Sequence, residues 1–370
     1  MFSSKTSPML SPAELRRYNR HLLIPEIGIE GQQKLKAARV LVVGCGGLGS
    51  PILLYLAAAG VGTLGIIDAD RVDDTNLQRQ ILYGSESVGR PKVEEAAKRI
   101  RSLNAYLNVE PYFEALTAQN ALDILAKYDL VIDGSDNFPT RYLVNDACVL
   151  LQKPLIYGAI YRFEGQVAVF NYQNGPNYRD LFPQPPPPEL APNCAEAGVL
   201  GVLPGMIGCL QANEALKIIA QIGQPLAGKL FVMDALTLTT RIIRVPKLPD
   251  RPRITQLIDY EAFCGVSKLE QNDELSVEDF LTMQTEGADF QVIDVREAHE
   301  YATDNLGGLS MPLSKLADFV TQISRDKTVV VHCQSGMRSQ KAIKYLADNH
   351  GFVNLKNLTG GLNAVRNYLV

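Results

Sequence analysis

The chain has 370 residues, of which 46% are apolar and 21% charged, and its formal net charge is −4. This length and apolar content favour about two domains with ordinary cores, and the weakly acidic balance excludes a general basic surface for nucleic acid. Residues 1–10 lack the apolar core of a signal peptide, and glycines interrupt the longest apolar stretch, residues 52–67, so neither a leader nor a membrane span is predicted.

The first predicted elements alternate between helix and strand. Ser11, Pro12 and Glu14 have the spacing of a capping box that begins a helix. The short apolar run Arg39–Val43 predicts a buried parallel strand, and a helix-like apolar stretch reaches Ala59. A second strand is predicted at residues 63–67.

A glycine-rich loop, Gly44-Cys45-Gly46-Gly47-Leu48-Gly49, joins the first strand to its helix. Such glycines let the backbone approach a phosphate, and the start of the helix supplies N–H donors. The second strand ends at Asp68 and Asp70, where a carboxylate would lie beside a ribose hydroxyl. This arrangement predicts a nucleotide site, but an NAD-dependent oxidoreductase would share it.

Four polar residues further along favour ATP over NAD. Asn76, Arg79, Lys92 and Asp136 supply an amide, two cations and a carboxylate. Nucleotidyl transfer accumulates negative charge on phosphates, which fixed cations stabilise, while Asp136 can hold Mg²⁺. Each residue alone could be an ordinary solvated side chain, so the prediction depends on the whole set.

Three longer motifs carry a family resemblance: Asp-Thr-Asn-Leu-Gln-Arg-Gln at 74–80, Gly-Arg-Pro-Lys-Val at 89–93 and Asp-Gly-Ser-Asp-Asn at 133–137. From about Leu15 to Arg244 the chain resembles the ubiquitin-activating-like adenylyltransferases that serve molybdopterin synthase and thiamine biosynthesis. The resemblance implies a Rossmann-like α/β domain with a mixed sheet, which uses ATP and Mg²⁺ to adenylate the C-terminal Gly-Gly of a ubiquitin-like sulfur-carrier protein. The nucleotide-contacting residues that it implies are Gly47, Asp68, Thr75, Asn76, Leu77, Gln78, Arg79, Lys92, Asp136 and Asn137.

The same family is dimeric, and an arginine of its Arg-Tyr-Asn-Arg motif reaches the ATP of the neighbouring subunit. The chain has this motif at 17–20. The resemblance therefore implies a homodimer in which Arg20 makes the contact in trans. The alternative is that Arg20 is a surface arginine on the N-terminal helix.

A cysteine beyond a proline-rich loop is the first candidate thiol. Cys194 follows the loop 183–192, whose prolines cannot build a helix or a central strand. In the family this position is the proposed acceptor of an acyl or acyl-disulfide linkage, which makes Cys194 a catalytic candidate. A persulfide that attacks the adenylate directly would make Cys194 dispensable.

The chain departs from many of these relatives at their structural zinc site. Those relatives use two Cys-x-x-Cys pairs, whereas Asn177 and Asp180 occupy the places of the first pair and only Cys264 stands near the second. Because tetrahedral zinc needs four good ligands, we expect no zinc here.

The last hundred residues predict a second site around Cys333. The apolar run Thr328–Val331 predicts a buried strand, and Cys333 follows it on a short polar loop. We expect Ser339 to cap a helix from about Gln340 to Ala347, and the amides of its first turn together with Arg338 to favour an exposed, activated thiolate or persulfide.

Two other interpretations of Cys333 fit its surroundings less well. Most free cysteines are core residues, but this loop is short, polar and glycine-containing. Cysteine phosphatases space the cysteine and arginine as Cys-x5-Arg, whereas here only four residues separate Cys333 from Arg338. The smaller loop suits sulfur better than phosphate.

This region resembles the rhodanese sulfurtransferase domain, a smaller α/β domain. The matching motifs are Asp-Val-Arg-Glu at 294–297, His-Glu-Tyr at 299–301 and Met-Pro-Leu at 311–313, while Asp-Asn-Leu at 304–306 replaces the usual Gly-His-Ile. The resemblance implies that Cys333 carries a persulfide, supplied by a donor such as a cysteine desulfurase or thiosulfate.

Composition divides the chain into an adenylyltransferase domain at 1–245, a linker at 246–273 and a rhodanese-like domain at 274–370, with a helix starting near Ser276. The predicted reaction joins ATP-dependent activation of the carrier to delivery of sulfur, which yields a thiocarboxylate. Six scattered cysteines, two of them reactive, favour a reducing cytoplasm. The alternative is a partner-binding regulator in which one domain is catalytically silent.

Overall fold

The computed structural model describes residues 8–186, 198–249, 253–265 and 273–368. The chain forms two compact units, Met1–Val266 and Ser267–Val370. Both combine helices with a largely or wholly parallel sheet, so the predicted α/β class is confirmed. No helix within the described ranges is both long enough and apolar enough to cross a bilayer.

The first unit begins with helices and then alternates strands with helices. The predicted capping box is present, since the Ser11 hydroxyl accepts from the amide of Glu14 and the Glu14 carboxylate accepts from the amide of Ser11. In chain order the elements are α1 (Pro12–Arg17), α2 (Asn19–Leu22), α3 (Gly28–Ala37), β1 (Arg39–Val43), α4 (Gly49–Ala59), β2 (Thr63–Ile67), α5 (Lys92–Leu103), β3 (Asn108–Tyr112), α6 (Ala121–Leu125), β4 (Leu130–Asp133), α7 (Phe138–Leu150), β5 (Leu155–Tyr161), β6 (Glu164–Phe170), α8 (Tyr178–Leu181), α9 (Leu203–Ala220), β7 (Lys229–Asp234), β8 (Thr240–Arg244) and α10 (Tyr260–Phe263).

The described strands of this unit form one sheet in the order β3-β2-β1-β4-β5-β6-β7-β8. The strands from β3 to β5 are parallel, and β6, β7 and β8 continue the sheet antiparallel. Chain order therefore reverses between β1 and β4. Ligands of open parallel sheets bind beyond the carboxyl ends of the strands at such a reversal.

Alternate residues of β1 fill the two sides of the core. Val40 and Val42 belong to the cluster that α4 and α9 cover, whereas Leu41 and Val43 belong to the cluster that α7 covers. Burial on both faces explains the continuous apolar sequence of this strand. The predicted strands at 39–43 and 63–67, and the helix that ends at Ala59, are confirmed.

Part of the segment after β8 packs into the core of the first unit. Tyr260 and Cys264 are buried in the same cluster as α7. The boundary between the two compact units lies between Val266 and Ser267. The division into a first domain, a linker and a second domain stays a prediction.

The second unit is a smaller layered structure. Its elements are β9 (Glu274–Leu275), α11 (Val277–Thr285), β10 (Phe290–Asp294), α12 (Ala298–Thr303), β11 (Leu309–Ser310), a 3₁₀ segment (Leu313–Gln322), β12 (Thr328–His332), α13 (Met337–His350), β13 (Leu355–Leu358) and α14 (Gly361–Tyr368). The described strands are parallel in the order β11-β10-β12-β13-β9. Ser276 caps α11 as predicted, with its hydroxyl accepting from the amide of Asp279.

Candidate functional site

A cavity of about 240 Å³ opens in the first unit where β1, β2 and β4 end. Six of the predicted nucleotide-contacting residues line it, namely Gly47, Asp68, Arg79, Lys92, Asp136 and Asn137. The structure thus brings together residues that are up to ninety positions apart in the chain, because parallel strands present their carboxyl ends at one edge.

The glycine-rich loop turns tightly between β1 and α4. Gly44 has φ +83°, and a Cβ on Gly49 would lie 2.1 Å from the carbonyl oxygen of Gly44. A larger residue at position 49 would therefore push the helix away from the loop. The hydroxyl of Tyr83 donates to the carbonyl of Cys45 at 2.7 Å and so fixes the other side of the turn; sequence reasoning did not identify Tyr83.

Two carboxylates beyond β2 hold the loop and a lysine. Asp68 accepts hydrogen bonds from the amides of Cys45 and Asp70 at 2.9 and 2.8 Å. The ammonium of Lys92 lies 2.8 Å from Asp70. Burial opposes the charged form of Lys92, but the neighbouring Asp68 and Asp70 outweigh it and raise its pKa. Lys92 is therefore a fixed, protonated cation at the cavity.

A buried arginine at the far wall was missed by sequence reasoning. Arg141 lines the cavity, lies over the rings of Phe138 and Tyr157, and is only 9% exposed. Its Nε has no hydrogen-bond partner. In the sequence, the signal that could have identified Arg141 is its position one helical turn after Asn137. The Asn137 side chain caps α7 by accepting from the amide of Thr140.

The remaining predicted contacts lie outside this cavity lining. Thr75 and Asn76 belong to a short 3₁₀ turn, where their side chains bond Asp73, and Leu77 packs against the core. Gln78 and Arg20 are also absent from the lining. The roles of all five stay predictions, and that of Arg20 concerns a second subunit. Cys194 lies outside the described residues.

Other interactions occupy the positions that the family resemblance implied for zinc ligands. Asn177 and Asp180 form a reciprocal capping box at α8, and Asp180 also accepts from the amide of Leu248 at 2.9 Å. Beside them the guanidinium of Arg179 pairs with Asp146 at 2.8 Å. Cys264 is a buried core residue. These side chains do not fit a tetrahedral zinc site, and the expectation that none binds stays a prediction.

In the second unit, Cys333 follows β12 on a loop that leads into α13. The prediction of an exposed thiol is wrong, since Cys333 is only 1% exposed. Its sulfur accepts from the amide of Gly336 at 3.2 Å. The loop at the start of α14 packs against the Cys333 loop, because the amides of Leu362 and Asn363 donate to the carbonyls of Cys333 and Gln334. Backbone hydrogen bonds therefore join the two loops, and the Cys333 side chain is buried between β12 and α13.

The predicted cap of the following helix is also wrong. α13 begins at Met337 after Gly336, whose φ of +89° is the left-handed conformation that glycine adopts most easily. Ser339 lies inside the first turn, and its hydroxyl is 2.6 Å from Oδ1 of Asn357. A hydroxyl has a single proton, and the bond to Asn357 uses it. The amide of Gly336, at 3.2 Å, is therefore the donor to the sulfur.

The Cys333 loop is supported by a polar network that sequence reasoning did not find. Asn357, which is buried on β13, donates to the carboxylate of Glu274 at 2.9 Å. The same carboxylate accepts from Thr359 and Gln340. Because Asn357 donates to Glu274, its oxygen must face Ser339. These contacts fix the start of α13 against β13.

Both arginines of the rhodanese-like motifs are ion-paired. Arg296 pairs with Asp294 at 2.6 Å and donates to Gln334 in the loop at 2.9 Å. Arg338 makes a bidentate pair with Glu300 at 2.7 and 2.8 Å. This hydrogen-bonded pair outweighs partial burial and lowers the pKa of Glu300 to about 2. The predicted cation of the loop, Arg338, is present, and the Glu300 carboxylate balances its charge.

The other described cysteines are free. Cys45 and Cys148 are buried packing residues, and Cys209 is partly buried on α9. Burial raises the pKa of Cys45, which further disfavours its thiolate. None of these thiols has the loop-amide arrangement of Cys333.

Known proteins similar to this chain match both units. The ThiF family model matches residues 18–253, and the rhodanese-like domain model matches residues 276–368. The probable adenylyltransferase/sulfurtransferase MoeZ of Mycobacterium tuberculosis is 42% identical, with 98% of this chain and 97% of the relative covered. The adenylyltransferase and sulfurtransferase MOCS3 of Sus scrofa is 44% identical over 96% of this chain and 86% of the relative.

A further relative matches a smaller share of the chain. The sulfur carrier protein adenylyltransferase of Thermus thermophilus is 56% identical, with 68% of this chain and 97% of the relative covered. Among solved structures, PaaA has a TM-score of 0.56 at 23% identity over 67% of this chain and 78% of its own, and E. coli MccB with ATP has 0.54 at 21% over 60% and 68%. These two likenesses concern the fold. From the match over most of its length, the chain belongs to the ThiF family, with a rhodanese-like domain following the family's adenylyltransferase domain.

Proposed function

We propose that this chain adenylates the C-terminal glycine of a ubiquitin-like sulfur-carrier protein with ATP and then places sulfur on that carboxyl group. The chain is an adenylyltransferase and sulfurtransferase, as its full-length relatives are named. The observation that carries the proposal is the pairing of a cavity with fixed cations and a sulfur held by a loop amide in one chain. The cations suit a polyphosphate, and the loop suits a persulfide.

In the first step an oxygen of the carrier's terminal carboxylate attacks the α-phosphorus of ATP. The bond from that phosphorus to the bridging oxygen breaks, and pyrophosphate leaves with the electron pair. Lys92, Arg79 and Arg141 line the cavity in which this charge develops. Lys92 must exchange Asp70 for a phosphate oxygen, which the 69% exposure of the Asp70 side chain permits.

Magnesium fits this cavity through one side chain. Asp136 is an exposed carboxylate on its wall, and Mg²⁺ in nucleotide sites commonly takes one or two carboxylates together with phosphate oxygens. Bound there, the ion would neutralise charge on the phosphates. Asp136 is the residue that we propose holds it.

In the second step the terminal sulfur of a Cys333 persulfide attacks the carbonyl carbon of the acyl adenylate. AMP leaves, and an acyl disulfide joins the carrier to Cys333. A second thiolate then attacks the Cys333 sulfur and releases the carrier as a thiocarboxylate, leaving a disulfide that cellular thiols reduce. Cys194 is our candidate for that second thiol.

The finer features are proposals as well. We propose a homodimer in which Arg20 reaches the neighbouring nucleotide, a cysteine desulfurase or thiosulfate as the source of sulfur, a cytoplasmic setting and no structural zinc. A partner-binding regulator with one silent domain is not favoured, because the names of the full-length relatives contain both activities.

Carrier-dependent ATP–pyrophosphate exchange tests the first activity. Purified protein, MgATP, labelled pyrophosphate and a panel of ubiquitin-like carriers ending in Gly-Gly are combined. We expect exchange with at least one carrier, and none with the same carrier lacking its terminal glycine. Exchange that does not depend on any carrier, or no exchange with the whole panel, contradicts the proposal.

A further inference from the structure

Three arginine–carboxylate ion pairs lie around the Cys333 loop. Three arginines lie in segments that form or contact the loop, and each is paired with a carboxylate: Arg296 with Asp294, Arg338 with Glu300, and Arg366 with Asp304. The first pair is buried, with side-chain exposures of 2% and 0%. Only Arg338, at 18%, combines a place in the loop motif with access to solvent.

Glu300 holds Arg338 in an ion pair, and a small dianion that binds Arg338 would have to displace the Glu300 carboxylate. Both carboxylate oxygens accept from the two terminal nitrogens of the guanidinium. One of these oxygens also accepts from the amide of Glu297 at 2.9 Å, so α12 fixes the carboxylate in place. A bidentate pair with a preorganised partner is among the stronger exposed ion pairs.

The two classes of sulfur donor make different demands on this pair. Thiosulfate is a dianion that needs a free cation near the sulfur, and its reaction releases another dianion, sulfite. The Cys333 thiolate attacks the outer sulfur, the sulfur–sulfur bond breaks, and sulfite leaves with the electron pair. A protonated persulfide donor delivers its terminal sulfur in the same way, but a thiolate leaves and no dianion enters.

We propose that Glu300 is a specificity-determining residue that selects persulfide donors over thiosulfate by occupying the guanidinium of Arg338. The proposal rests on the sulfur transfer proposed for Cys333 and identifies the donor class. Glu300 acts through Arg338 and is a positioning residue. Removing the Glu300 carboxylate leaves the Arg338 guanidinium without its ion-pair partner, and removing both charges restores the net charge of the unaltered loop.

Glu300→Gln in the full-length protein removes the negative charge of the pair with little change in the shape of the side chain. Glutamine keeps an oxygen that can accept from the Glu297 amide, so the start of α12 is preserved. The matched control is Glu297→Gln, which removes a neighbouring charge at the N-cap of the same helix; the Glu297 carboxylate accepts from Ser314. The double substitution Glu300→Gln with Arg338→Gln tests whether the effect depends on the guanidinium.

Persulfide formation on Cys333 is followed by mass spectrometry at varied concentrations of thiosulfate or of 2-mercaptoethanol persulfide. For Glu300→Gln we expect the KM for thiosulfate to fall about tenfold, as for release of a charge-assisted pair, with kcat changed less than about twofold. The persulfide reaction should stay within about twofold. Glu297→Gln should move neither, and the double variant should return the thiosulfate KM toward that of the unaltered protein.

An unchanged or higher thiosulfate KM in Glu300→Gln overturns the proposal, as does an equal gain with both donors. If that variant misfolds, the Arg338→Gln single variant decides. The Arg338→Gln variant leaves the Glu300 carboxylate without its partner, so its KM for thiosulfate should rise. An unchanged or lower KM contradicts the proposal. If no donor loads Cys333 in the unaltered protein, the proposed function fails instead of this inference.

Discussion

The two candidate sites use the same local design, a loop between a parallel strand and a helix, for anions of different extent. The nucleotide cavity gathers residues from the ends of three strands, and its Lys92 has a solvent-accessible partner, Asp70. The sulfur site is built from the short loop that carries Cys333, a residue that is 1% exposed. A polyphosphate needs charges from several segments, whereas one sulfur can be held by contiguous backbone.

Removing the sulfur atom should separate the two sites most completely. We expect Cys333→Ala to lower sulfur transfer from any donor by at least about 10³-fold, because no other described thiol has its loop. Carrier-dependent ATP–pyrophosphate exchange should be retained. Cys209→Ala, a partly buried cysteine on α9, is the control and should keep both activities. Sulfur transfer by Cys333→Ala would show that the loop assignment is wrong.

The converse change removes a cation from the nucleotide cavity. We expect Lys92→Ala to reduce ATP–pyrophosphate exchange by about 10²- to 10³-fold, as for other preorganised charges that stabilise a transition state. Loading of Cys333 with sulfur should not change. Lys98→Ala on the same helix is the matched control, since its side chain is 68% exposed. Equal losses in the two variants would indicate a general charge effect instead of a site.

The first unit should also depend on the ion pair that lies beside the places of the zinc ligands in related proteins. Asp146 is 2% exposed and accepts from Arg179 and Tyr260. Asp146→Ala leaves a largely buried guanidinium without its partner, which should cost about 3–5 kcal/mol of unfolding free energy. Hydrogen exchange of the α7 amides measures this cost. Asp123→Ala, at an exposed position on α6, should change it by less than about 0.5 kcal/mol.

A chelator gives an independent test of the same region. Because the side chains of Asn177 and Asp180, at the positions implied for zinc ligands, form a capping box, EDTA should leave the thermal unfolding of the protein unchanged. Stoichiometric zinc in the purified protein, together with a lower Tm after chelation, would contradict the expectation.

The smallest expected effect concerns pH at the second unit. The hydrogen-bonded pair with Arg338 lowers the pKa of Glu300 from 4.5 to about 2. A carboxyl group with a lowered pKa in the folded state contributes stability above its unfolded value, and this contribution disappears as the pH falls from 4.5 toward 2. Protection of α12 amides in the unaltered protein and in Glu300→Gln should therefore converge over that window. A constant difference would mean that the pair is not responsible.

The sequence predicted most where chemistry is local. The strand at 39–43, the glycine-rich loop, the Ser11 capping box and the position of Cys333 could all be read from adjacent residues. Arg141, Tyr83 and Asn357 could not, because their roles depend on which strand ends and helices meet in space. The exposure of Cys333 was mispredicted for the same reason, since the second loop that covers it comes about thirty residues later.

Formation of the thiocarboxylate itself tests the central claim most directly. The protein is loaded with sulfur at Cys333, mixed with a carrier that supports exchange and with MgATP, and the mass of the carrier's C-terminus is measured after one turnover. The account predicts replacement of one carboxyl oxygen by sulfur with the unaltered protein, and an unmodified carboxylate with either Lys92→Ala or Cys333→Ala. A thiocarboxylate formed at the normal rate by Cys333→Ala, or never formed by the unaltered protein, would contradict it.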